Sequence, residues 1–360
     1  MNVVVAEPPA EPEVLVEQRG RLGLLTLNRP RAINALTHGM VHLITAALAR
    51  WRDDPSVSTV AVVGAGERGL CAGGDVVSLY RDVTIGDGLG AASFWRDEYA
   101  MNAAIAGYPK PFVAIQDGIV LGGGVGVSAH GSHRIVTERT RIGFPETTIG
   151  FVPDVGATWL LSHAPGELGT RLALTAESVA AADAILVGFA DAFVPADRIA
   201  ALLAALETTD ADTAVAALAM PAPPGVLAAG RGWVDTVFSA GRVPEIIARL
   251  RREPDPEASA LADIVATKSP TALAVTLESI RRAQALPDLS AALKQEYRVS
   301  RHAAAAPDFA EGVRAQLVDK DRTPQWRPLT HDRITRDDVE AFFAPVPGGD
   351  LILHSSKETA

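Results

Sequence analysis

Along the first 200 residues, short strand signals alternate with helical ones, and then the strand signals stop. "STVAVVG" (58–64) is a buried strand by its length and β-branching, and "PFVAIQDG" (111–118), "HRIVTE" (133–138) and "TRIGF" (140–144) are further strands. Between them lie helical stretches. Thr37 reads as the N-cap of "HGMVHLITAALARWRDD", which ends before Pro55, and another helix falls near 91–107. Residues 13–29 alternate about Gly20 as a β-hairpin does. Such alternation predicts an α/β layer architecture. Beyond about residue 200 the text is helical: "DRIAALLAALETTDADTAVAALA", a breaker "PAPPG", then "TALAVTLESIRRAQAL" and "LSAALKQEYRVSRHAA". The expected organisation is a flexible acidic tail (1–12), an α/β core (13–200), a mostly helical C-terminal region (201–345) and a frayed tail (346–360).

Composition narrows the function classes. A hydrophobic content of 48% is ample for a globular core, and the net charge of −10 argues against non-specific nucleic-acid binding. Cys71 is the only cysteine, which excludes an intrachain disulfide and a Cys-based zinc site and fits a reducing compartment. The N-terminal apolar run is too short for a signal peptide or a membrane span. The expectation is a cytoplasmic protein with no membrane and no nucleic-acid partner.

Several motifs invite chemistry and most decline it. Gly64, Gly66 and Gly69 spell G-x-G-x-x-G after a strand, but no helix follows at once and no acid-terminated strand appears about 20 residues on. "GVSAHG" falls short of the serine-hydrolase elbow. His130 and His133 straddle Gly131, so structural histidines are expected rather than a metal pair, and no metal site is predicted. Cys71 is read as a small core residue.

Two glycine clusters, "CAGGD" and "LGGGVGVSAHG", are harder to dismiss. Each glycine inside a helix costs about 1 kcal/mol relative to alanine. Close packing explains that cost as well as a backbone N–H left open to an oxyanion does. Two such donors from separate loops would grip one oxygen. Beyond them, in "RIGFPETTIGFVPDVG" (141–156), stand two carboxylates, Glu146 and Asp154, among apolar residues and turns.

"LTLNRPRAINAL", "GLCAGGD", "KPFVAIQDGIVLGGGVG" and "PETTIGFVPDVGA" occur in the order used by the crotonase (enoyl-CoA hydratase/isomerase) superfamily, which the chain resembles. Within it, "FWRDEYAMN", "KSPTALAVTL", "EYRVSR" and "DFAEGVRAQLVDKDRTPQW" resemble the 3-hydroxyisobutyryl-CoA hydrolases, so that the likeness covers about 14–328. The resemblance implies a spiral of ββα units followed by the helical region. It also implies an acyl-CoA substrate whose carbonyl oxygen is held by the N–H groups of Gly74 and Gly123, with no cofactor beyond the coenzyme A of the substrate. Glu146 matches one of the two carboxylates with which hydratases hold water. The second would fall at Gly126, and Asp154 stands where hydratases tend to carry glycine.

Thioester hydrolysis needs less than hydration does. A thiol of pKa near 8.5 leaves with little acid help, so an oxyanion hole and one carboxylate suffice. The catalytic candidates are therefore Glu146, as nucleophile or base, and Asp154. Glu98 matches a substrate-binding position of the hydrolases, although a solvated helix glutamate is the plainer reading of that residue. Arg29, Arg31 and Lys320 are candidates for the CoA phosphates and equally plain surface charges. An enoyl-CoA hydratase or isomerase and a non-catalytic acyl-CoA-binding subunit remain as alternatives, and a homo-oligomer is left open.

Overall fold

The computed structural model describes residues 11–353. The expected hairpin forms from β1 (Val14–Arg19) and antiparallel β2 (Leu22–Leu27). Helix α1 (His38–Arg52) starts where Thr37 predicts, its hydroxyl accepting from Met40 N–H at 3.1 Å. Its buried face, Met40, Val41, Ile44, Ala47, Leu48 and Trp51, follows the helical period. There follow β3 (Thr59–Gly64), α2 (Val76–Ile85), α3 (Leu89–Ala106), β4 (Phe112–Gln116), β5 (Ile119–Leu121), α4 (Gly123–Gly126), β6 (His133–Val136) and β7 (Arg141–Gly143). Two short strands, β8 (Ser178–Val179) and β9 (Ala192–Phe193), complete the sheets.

Two sheets result. The larger runs β1-β2-β3-β4-β6-β9, parallel from β2 onward, and the smaller runs β5-β7-β8. Residues 69–71 lengthen the smaller one, since Cys71 bridges Val120 in parallel. Successive chain passes therefore visit one sheet and then the other, which is the ββα spiral. Close backbone approach explains the G-x-G-x-x-G pattern, since a Cβ on Gly64 would sit 2.6 Å from the Gly69 carbonyl oxygen. A Cβ on Gly69 would sit 2.2 Å from Ile119 N, and the next helix begins only at Val76.

The alanine-rich stretch after 197 is not one helix. It breaks after Leu206, and Asp210 caps a second helix, Ala211–Leu218, by accepting from Thr213 N–H at 2.9 Å. Both helices lie on the outer face of the larger sheet, where Leu202, Leu206, Ala211 and Ala214 join Leu22, Leu24, Ala61, Val113 and Ile135. Later helices include Pro270–Ala283 and Leu289–Ala305. The expected C-terminal fraying does not extend to 346–353. Leu351 is buried, and Asp350 accepts from Arg298 Nε at 2.8 Å, so one apolar anchor and one ion pair tie the segment down. The ends of both predicted tails (1–10 and 354–360) lie outside the described residues. No helix among the described residues is long and apolar enough to cross a membrane.

Candidate active site

Three neighbouring segments of the smaller sheet end together. Leu121 N–H donates to Cys71 carbonyl at 2.9 Å, and Gly122 N–H to Gly143 carbonyl at 3.1 Å, which aligns 69–71, β5 and β7. Directly past these ends come Gly74, Gly123 and Glu146. Residues far apart in the chain thus converge because parallel strands in register finish at one edge.

The Gly74 and Gly123 N–H groups have no acceptor among the described residues. They are also close. A Cβ on Gly123 would lie 3.2 Å from Gly74 N and 2.7 Å from Glu98 Oε1. Gly122 turns the chain at φ +50°, and a Cβ there would stand 2.5 Å from Glu146 Oε1. A side chain at Gly122 would crowd the Glu146 carboxyl, and one at Gly123 the Glu98 carboxyl and the Gly74 N–H.

Glu98, Glu146 and Asp154 are all buried, at 2%, 7% and 4% exposed. Glu98 therefore departs from the solvated-glutamate reading. It projects from α3 into a narrow cavity of about 40 Å³, walled also by Gly74, Gly123, Asp154 and the side chains of Phe94, Trp95 and Phe151. That is room for one or two waters. Glu146 sits just behind this wall, at Gly122. Neither Glu98 Oε1 nor Glu146 Oε2 has a hydrogen-bond partner among the described residues.

Burial without partners raises proton affinity. Burial, then the charge of Asp154, pushes the carboxyls of Glu98 and Glu146 well above the usual range. Asp154 is pushed by burial up to about 7, against the opposing pull of the Tyr99 hydroxyl, which donates to Oδ2 at 2.5 Å. Burial and the charge of Asp154 thus both oppose ionising these carboxyls together.

The turn that presents Asp154 is strained and clamped. Val155, a β-branched residue, takes φ +58°. His130 Nε2–H donates to the Val155 carbonyl at 2.7 Å, and burial lowers this histidine to about 4, so the ring is neutral. From the helix Leu289–Ala305, Glu296 accepts from Gly156 N–H at 2.6 Å, Thr158 N–H at 2.7 Å and Thr158 Oγ1 at 2.6 Å. Ser300 of the same helix lies 2.8 Å from Tyr99 Oη. Sequence reading did not single out Tyr99, Glu296 or Ser300. A signal was present, because Glu296 falls on the stripe formed by Ala292, Leu293, Val299 and Ala303, where a charge is out of place.

Other candidates fall away from this centre. His133 pairs with exposed Asp212, not with His130. Cys71 is buried, and burial pushes its thiol up to about 12. Arg29 is held by Glu13 and Asp75. Gly126 has no room for a second water-holding carboxylate. A Cβ there would meet Val155 Cβ at 2.7 Å and Asn102 Nδ2 at 2.9 Å.

Gly74, Gly123 and Glu146 thus follow the parallel strand ends, and Glu98 from α3 and Asp154 from its turn face the same cavity as the two glycines. The family model described as enoyl-CoA hydratase/isomerase matches residues 22–343, and the chain belongs to that family. Among curated relatives, it is 37% identical over 352 residues to the mitochondrial 3-hydroxyisobutyryl-CoA hydrolase of Xenopus tropicalis, covering 95% of this chain and 91% of that one. Among solved structures, it is 52% identical to a carnitinyl-CoA dehydratase from Mycobacterium thermoresistibile, with a TM-score of 0.91 and 94% and 98% of the two chains covered. An enoyl-CoA hydratase from Rhodobacter sphaeroides is 41% identical, with a TM-score of 0.90 and coverage of 95% and 100%.

Proposed function

We propose that the protein hydrolyses 3-hydroxyisobutyryl-CoA to 3-hydroxyisobutyrate and free coenzyme A, with no cofactor beyond the substrate's own. The Gly74 and Gly123 N–H groups form an oxyanion hole for the thioester oxygen, stabilising charge as the carbonyl carbon becomes tetrahedral. Glu146 either attacks that carbon, expelling the thiolate and leaving an acyl anhydride that water then hydrolyses to the free acid, or takes a proton from a water that attacks the carbon, after which the thiolate leaves. Glu98 accepts the 3-hydroxyl, and Asp154 raises the basicity of Glu146 through its charge. The observation that carries hydrolysis over hydration is Gly126, walled in by Val155 and Asn102 where a second water-holding glutamate would be needed.

The names of the two solved structures favour a second reading, hydration of an enoyl-CoA or the reverse dehydration of a hydroxyacyl-CoA. One experiment separates the two. A panel of acyl-CoA thioesters is assayed in parallel for free thiol release and for double-bond hydration. Thiol release from 3-hydroxyisobutyryl-CoA should exceed hydration of crotonyl-CoA; efficient hydration without thiol release would overturn the hydrolase reading. A cytoplasmic location fits a single, buried Cys71. Cell fractionation tests it, and recovery in an organelle would reject it.

A further inference from the structure

Outside the site, three side chains with metal-ligating atoms converge where α1 meets α3. His38 and His42 are one helical turn apart on α1, so they share a face, with ring centroids 4.3 Å apart. Across the helix contact, Asp97 Oδ2 stands 2.6 Å from His38 Nε2 and 2.9 Å from His42 Nε2. One ligand atom from each residue lies within 4.8 Å of the others. Two imidazoles pointed at one carboxylate oxygen need only small rotations to admit an ion at the usual 2.0–2.2 Å from each ligand.

We infer that His38, His42 and Asp97 form a binding site for a first-row transition-metal dication of the zinc, nickel or cobalt type. Two neutral imidazoles and one carboxylate make a borderline donor set that disfavours magnesium and calcium, which prefer oxygen cages. Both histidines come from rigid helix positions, which removes much of the ordering cost of assembling ligands. Side-chain exposures of 36%, 61% and 40% leave the site open to ions and to water in the remaining coordination positions. His38 packs against Phe94 in a T-shaped contact, with centroids 6.0 Å apart. The site is separate from the catalytic candidates, yet Asp97 is the residue before Glu98. A bound ion therefore ties α1 to the helix that carries Glu98 and Tyr99.

The test is titration of the purified, chelator-washed full chain with zinc chloride, followed by calorimetry and by competition with a chromophoric chelator. One ion per chain should bind at micromolar concentration. A His38→Ala/His42→Ala double variant should lose that ion, and Asp97→Asn should weaken it by at least the 10–100-fold typical of losing a metal's outer partner. Cobalt should give visible absorption bands with the wild type and not with the double variant. The three side chains are partly exposed, so the variants should fold, and circular dichroism checks this. If zinc binds wild type and the folded double variant with equal stoichiometry and affinity, or binds wild type only at millimolar concentration, the site does not exist as inferred. Neither result bears on thioester hydrolysis, which the proposal does not require.

Discussion

Asp154→Asn tests whether the candidate site is held together at an electrostatic cost. Burial keeps the Asp154 carboxyl at about 7, against 3.8 for the free side chain. Between those values the folded chain retains a proton that the unfolded chain has lost. Stability therefore falls as pH rises through this window, and the penalty is complete above about pH 7. With about 1.4 kcal/mol for each pKa unit, the gap of roughly three amounts to at most about 4 kcal/mol.

Asparagine carries no charge at any pH, while its amide oxygen can still accept from the Tyr99 hydroxyl. Unfolding entropy of roughly 2.1 cal/mol/K per residue gives about 0.76 kcal/mol/K for 360 residues, so 4 kcal/mol corresponds to about 5 °C. Thermal unfolding followed by circular dichroism at about pH 4 and about pH 8.5 reads this directly. The variant should match wild type near the lower pH and melt up to about 5 °C higher near the upper, while its thiol release is impaired. An equal difference between the two proteins at both pH values would refute the reasoning, because only a titrating group makes the difference grow.

Other outcomes follow from the same geometry. Glu146→Gln removes nucleophilicity and basicity at constant size, so thiol release should drop close to background while acyl-CoA still binds, as calorimetry would report. Gly123→Val would place Cβ against Glu98 Oε1 and Gly74 N–H, and turnover should fall by about 10²–10³ in a protein that still folds. Glu296→Ala leaves the buried Gly156 and Thr158 N–H groups without their acceptor, at about 1–3 kcal/mol each. Denaturant melts should show that loss, and kcat should fall more than KM rises, because the Asp154 turn is loosened while the cavity wall remains.

Local chemistry carried much of the fold into the sequence. Strand runs such as "STVAVVG", the Thr37 cap and the hairpin about Gly20 each depend on neighbours a few residues away, so composition and period suffice to read them. The order of the glycine and acid motifs was legible for the same reason, since each is a short stretch at the end of a strand. The sequence could not place Gly123 beside Gly74. That depended on residues 69–71 and β5 finishing side by side, a matter of register between distant segments.

The carboxylates divide along the same line. Glu98 stands in helical period with Ala91, Trp95 and Ile105, and a charge on such a stripe is either a misfit turned to solvent or a functional group turned inward. Periodicity registers the face and not what covers it. Only tertiary packing buried Glu98, brought Glu296 and Ser300 across from a helix some 140 residues beyond Asp154, and bent Val155 into a conformation its side chain resists. Burial is set by the sum of long-range contacts, and a carboxylate reads the same in the sequence whether those contacts leave it wet or take its water away.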